Sequence, residues 1–200
     1  MQMFGIANRE TTYKNGESMK VLLLIIIAII AYAIMIYNKL VKNKVKVDEG
    51  WSGISVQLKR RHDLVPNLVK TVKGYTEHEK DLLVEVTEAR KQSVNVNGIE
   101  DIQKAEKALS SSLSRLLAVA ENYPELKANE NFLKLQDELT SIENSLQHAR
   151  RYYNGAVREY QITQQTFPSN LIADYFKFEN KQYFELEDAK KESAVPEVNF

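Results

Sequence analysis

The stretch Val21 to Tyr37, "VLLLIIIAIIAYAIMIY", runs for seventeen residues without a charge. In water, so long an apolar run has to be covered. As a helix, extended through Leu40 and Val41 with modest tilt, it reaches across the hydrocarbon core of a bilayer. A cleaved signal peptide is the competing reading. The run is longer than a usual signal core, no small-x-small site follows it, and Lys39, Lys42, Lys44 and Lys46 come directly after. An uncleaved anchor is therefore expected. The four lysines outnumber Lys14 and Lys20 ahead of the span. The positive-inside rule then predicts a single-pass protein of the cell membrane with its N-terminus outside and its C-terminal part in the cytoplasm.

Charge is uninformative overall and informative locally. Lys plus Arg and Asp plus Glu each total 27, which gives no reason to expect a nucleic-acid partner. From Asn38 to Tyr75, however, nine basic and three acidic residues leave +6. From Asn170 to Phe200, four basic and seven acidic residues leave −3. The chain has no cysteine, which excludes disulfides, thiolate metal sites and a cysteine nucleophile.

Beyond the anchor, apolar residues recur at spacings of four and three. One series is Val47, Trp51, Ile54, Leu58, Val65, Leu68, Val72 and Tyr75, with Arg61 in its only polar slot. A longer one runs from Phe132 through Leu135, Leu139, Ile142, Leu146, Ala149, Tyr153, Ala156, Tyr160 and Thr163 to Phe167. Its unbroken phase predicts one helix of about 36 residues. Leu82 to Ala89 and Ile102 to Tyr123 mark two more helices. Nothing alternates with period two, so the fold class is all-α: an N-terminal transmembrane helix, then an antiparallel up-down helical bundle.

The number of bundle helices depends on "KGYTEHEK". Gly74 suits a position just past a helix end, and Thr76 with Glu79 fits a capping box. A break there yields four helices; continuity yields three long ones. Four is the favoured reading, since Glu79 otherwise occupies a core slot. Pro124 is expected to close a helix, and Asn129 or Asn131 to cap the next, with Glu130 in its first turn. The expected divisions are a disordered extracytoplasmic N-terminus over 1–18, the anchor over 19–41, the bundle over 42–168, a short amphipathic aromatic segment over 169–184 and an acidic disordered tail over 185–200. Met19 reads as an alternative start.

The chemistry-bearing residues are few. "QLKRRHDLVPNL" places Arg60, His62 and Asp63 away from the apolar seam and Arg61 within it. Asp63 either pairs with Lys59 or caps a helix restarting before Pro66; alternatively one helix continues with a kink. Arg61 needs a partner, for which Glu143 or Glu138 is the expectation. His62, His78 and His148 lack metal-ligand spacing, and paired Glu-x-x-His motifs are absent, so no metal or cofactor is expected. "SSSLSRLL" reads as a serine-rich helix face. No catalytic residue is expected, and the chain reads as no enzyme. Candidate partner-binding residues are Asn122, Tyr123, Asn129 and Asn131 around one turn, with Arg60 and His62.

The segments "WSGISVQLKRRHDLVPNLVKTVKGYTEHEK", "EARKQ", "AVAENYPELKANENFLKLQDELTSIEN", "ARRYYNGAVREY" and "FPSNLIA" resemble the LemA family of bacterial membrane-anchored proteins. The resemblance covers about Lys39 to Phe178 and implies an antiparallel bundle on an N-terminal anchor with a short N-terminus facing outward. It implies no catalytic residue. The expected role is a membrane-anchored interaction or scaffold module. Its partners would be the bilayer through residues 21–37 and further membrane or envelope proteins, with a homo-oligomer also allowed. The competing reading is an envelope-stress factor that acts on the bilayer surface through the basic juxtamembrane stretch and the C-terminal aromatics. In the four-helix version, the long last helix delivers "FPSNLIADYFKF" to the membrane.

Overall fold

A computed structural model describes the backbone of residues 3–76 and 78–184, with side chains from Ser18 onward. The acidic stretch 185–200 lies outside the described residues. Among those described there are six helices and no strand: α1 Met3–Lys73, α2 Lys80–Asn95, α3 Ile99–Ala120, the single turn α4 Pro124–Lys127, α5 Glu130–Gln165 and α6 Ser169–Tyr175. The bounds of α1 take in backbone from residue 3 that the sequence reading left as a disordered extension.

The chain divides into two compact units, Met1–Val45 with Glu159–Asn180, and Lys46–Arg158 with Lys181–Phe200. In the first, the residues of the apolar run lie almost entirely exposed; its outward rows of Leu and Ile have no protein cover. Immediately after the run the helix acquires neighbours. Leu40 is fully buried, and buried Asn43 donates from Nδ2 to Thr163 Oγ1 at 2.9 Å. Thr163 in turn donates to the Glu159 carbonyl, so both polar side chains are satisfied inside.

In the second unit most of the expected seam is buried, namely Val47, Ile54, Leu58, Val65, Leu68 and Val72 from α1, while Trp51 is half-buried and Tyr75, past the helix end, is exposed. Of these, Val65, Leu68 and Val72 join one core with Leu82, Leu83 and Val86 of α2, Leu109, Leu113 and Leu116 of α3, and Phe132, Leu139 and Ile142 of α5. Gly50 sits where α1 meets α5, at a position where a Cβ would stand 2.9 Å from the Tyr153 Cα. Here glycine is required by close helix approach rather than by backbone conformation.

Some helix ends are built differently from the expectation. The chain does leave α1 before Gly74, but no capping box forms. Thr76 donates back to the Val72 carbonyl, and Glu79 stands before α2 without a side-chain cap bond. Glu79 instead accepts from the Tyr123 hydroxyl at 3.3 Å. Gly98, at φ 94°, supplies the left-handed residue that opens α3. Pro124 does not close a helix; it begins α4, where its missing N–H is tolerated in the first turn, and seats Leu126 in the core. Phe167, assigned to the seam, lies past the end of α5 and is 75 % exposed.

Candidate functional site: a buried polar clamp

Pro66 lies inside α1 without ending it. A proline there has no N–H to give the carbonyl four residues earlier, which is that of His62. Arg90 of α2 takes up the vacancy, donating from Nε to the His62 oxygen at 2.6 Å. The reading in which Asp63 caps a helix restarting before Pro66 is thereby excluded, and Asp63 is exposed.

Around this bond lies a cluster drawn from four helices. Arg61, 3 % exposed, donates from Nη1 to Glu106 Oε2 at 3.0 Å and from Nη2 to Ser110 Oγ at 2.8 Å. Its Nη2 also stands 2.7 Å from Glu143 Oε1 of α5. That contact lacks hydrogen-bond alignment, so it is an ion pair in the coulombic sense. Glu106, 2 % exposed, accepts at Oε1 from His62 Nε2 at 2.6 Å and from the Ser93 hydroxyl. Arg61 Nε, like Glu143 Oε1, is buried without a hydrogen-bond partner. Glu143 is one of the two expected partners; the hydrogen-bonded carboxylate is Glu106, which lies on α3 and outside that expectation. Glu138 is exposed.

Burial by itself pushes the Glu106 carboxyl up. The bonds from His62 and Ser93, with the charges of Arg61 and His62, together outweigh it and hold the group below its ordinary value of 4.5. The carboxylate is thus kept ionised in a place closed to water. The arrangement differs from a hydrolytic relay in one decisive respect. A relay divides the two imidazole nitrogens between the hydroxyl and the acid. In this cluster the same Nε2 faces both Ser93 Oγ, at 2.9 Å, and Glu106. The geometry is a clamp that fixes the register of four helices.

The sequence-predicted residues separate accordingly. His62 is not on the surface: it is 12 % exposed and committed to Glu106, which corrects its placement away from the core. Arg60 is exposed and bonds Gln57 of its own helix. At the asparagine-rich turn, Asn129 caps α5, its Oδ1 accepting from the Phe132 N–H at 3.0 Å, while its Nδ2 donates to the Tyr75 hydroxyl. Tyr123 is held by Glu79. Asn122 and Asn131 are exposed. Lys39, Lys42, Lys44 and Lys46 are all exposed. His148 meets Arg151 at 2.8 Å on the surface, and His78 lines a cleft of about 840 Å³ with Lys73 and Lys80.

Of the clamp, Arg61, His62, Arg90 and Glu143 lie in the segments that carried the family resemblance, and comparison decides the matter: the LemA family matches residues 50–200. This chain belongs to the LemA family. Among characterised relatives it is similar to magnetosome protein MamQ 2 of Paramagnetospirillum magneticum, 25 % identical over 197 residues, covering 86 % of this chain and 72 % of that one. Magnetosome protein MamQ of Magnetospirillum gryphiswaldense is 24 % identical over 185 residues, covering 80 % and 68 %. Protein LemA of Metamycoplasma hominis is 23 % identical over 159 residues, covering 77 % and 71 %. The LemA match begins at Gly50, the glycine of the close helix approach.

Proposed function

We propose that this LemA-family protein is a single-pass, membrane-tethered interaction module, with its bundle on the cytoplasmic side. The observation that carries this reading is the contrast along α1. Its apolar run is left bare of protein, whereas the same helix from Leu40 onward supplies a core series to a bundle. A bare apolar helix needs lipid, and a bundle locked by a buried clamp presents fixed surfaces to other proteins. The exposed Asn122 and Asn131 flank a turn whose Tyr123 and Asn129 side chains are engaged internally, which supports them as contact residues. A photo-crosslinking residue at Asn131 in native membranes should capture a discrete protein adduct that is lost on moving the probe to buried Ile142. No adduct at Asn131, Asn122 or Arg60 sinks the interaction reading.

A second reading has its own support. Near the end of the apolar run, the Tyr37 ring meets Phe176 at 4.8 Å and Phe178 at 5.8 Å between centroids. Tyr175 stacks edge-on against Phe176 and is 80 % exposed, with Leu171 also outward. Exposed aromatics adjoining an apolar span suit the headgroup layer, so the α6 segment would rest on the bilayer surface. The chain has no cysteine, so a single spin label at Tyr175→Cys is clean. Oxygen-dominated relaxation at that label supports the bilayer contact, and water-like relaxation removes it.

A further inference from the structure

The segment Lys181–Phe184 belongs to no helix, yet it is seated on one. Asn154 of α5 grips the main chain of Phe184 at both ends. The Phe184 N–H donates to Asn154 Oδ1 at 2.8 Å, and Asn154 Nδ2 donates to the Phe184 carbonyl at 2.8 Å. The Tyr153 hydroxyl donates to the Gln182 carbonyl at 2.8 Å, and Gln103 Nε2 of α3 reaches the Tyr183 carbonyl at 3.4 Å. The Phe184 ring is 1 % exposed, 6.1 Å from the Trp51 ring and under the Arg150 guanidinium at 4.9 Å. Lys181 lies 3.6 Å from Asp48.

These contacts have an unusual division of labour. The bundle's side chains satisfy main-chain groups of three successive residues, which any sequence offers; Gln182 adds an exposed side-chain bond to Glu100 at 3.2 Å, and only one side chain, an aromatic ring, is swallowed. That is how a receptor reads an extended peptide: amide groups for affinity, one pocket for selection. We propose that Trp51, Arg150, Tyr153 and Asn154 form a binding site for an extended peptide segment bearing an aromatic residue, and that Lys181–Phe184 is its resident occupant in cis. A partner protein offering such a segment displaces the chain's own. The site gives the interaction reading a partner chemistry and rests on it for its biological meaning; peptide binding itself is read without any partner.

The sole tryptophan of the chain is in the pocket and reports on its occupancy. The full-length Phe184→Ser variant in detergent should show shifted Trp51 emission with an unchanged helical circular dichroism spectrum. Adding a capped peptide of residues 179–184 should restore the wild-type emission saturably. Wild type should not respond at concentrations that saturate the variant, because its tethered segment competes at an effective concentration on the order of millimolar. Adding Asn154→Ala to Phe184→Ser should weaken the peptide roughly tenfold or more, as two bonds of about 1 kcal/mol each are lost. The same peptide with its Phe replaced by Ser should not bind. Absence of saturable binding below about ten millimolar, or binding indifferent to Asn154, overturns the site and leaves Lys181–Phe184 a structural strap. Failure of the crosslinking test with success here would retain a peptide site and discard the interaction reading that gives it a partner.

Discussion

Glu106 accepts from Arg61, His62 and Ser93 in a place that water does not reach. Removing one member of a buried ion pair strands the other's charge, which costs about 3–5 kcal/mol, whereas replacing both by apolar groups is often close to neutral. Arg61→Met and Glu106→Leu should therefore each destabilise by about that much, and the double variant by less than either alone. Thermal or denaturant unfolding in detergent measures this; losses that simply add would show that the pair is uncoupled. The same carboxyl sets a pH dependence. Its folded pKa lies below the ordinary 4.5 that it regains on unfolding. Its contribution is thus complete above that value and is lost as pH falls through the lower folded one. Melting temperature should drop on acidification below pH 4.5 more steeply in wild type than in the double variant.

At the scale of elements, two glycines three residues apart on α1 make opposite predictions. A Cβ on Gly50 would stand 2.9 Å from the Tyr153 Cα, a backbone atom that can yield only if the helices part. On Gly53 the nearest atom would be the Ala149 Cβ at 3.9 Å, an ordinary contact. Gly50→Ala should destabilise by about 1–3 kcal/mol, while Gly53→Ala should be neutral or stabilise by up to about 1 kcal/mol through helix propensity. Equal melting shifts for the two would mean that α1 and α5 do not approach as described. This contrast also marks where the sequence stopped being legible. Periodicity located α5 almost to the residue, because apolar spacing reports a buried face directly. It was silent on Gly50, since a missing side chain breaks no pattern. It placed His62 outside, since a charge-bearing residue beside the seam looks like surface until Ser93 and Glu106 arrive from other helices. Arg61 was readable as buried because it filled a slot in phase, but its main partner lies 45 residues away on a helix whose own pattern gave Glu106 no distinction.

At the scale of the whole molecule, the single-pass reading makes the side of the membrane on which the bundle lies depend on few charges. Moving a lysine through the translocation machinery is unfavourable, so the flank richer in Lys and Arg stays in the cytoplasm. Lys39, Lys42, Lys44 and Lys46 follow the apolar run within a few residues, all are exposed, and none belongs to the buried core. Replacing them therefore changes the orienting signal while leaving the bundle intact, a separation that the clamp residues would not allow. A reporter fused after Phe200 should behave as cytoplasmic in the wild type. With all four lysines changed to Gln, the population should divide between the two orientations, read as partial protection of the bundle from external protease. The helical content of both populations should match. A wild-type reporter that is fully exported would reverse the assignment and place the Trp51 pocket and the asparagine turn before extracytoplasmic partners. An unchanged orientation after the lysine replacements would mean that the bundle itself, folding before insertion is complete, holds the C-terminal side in place.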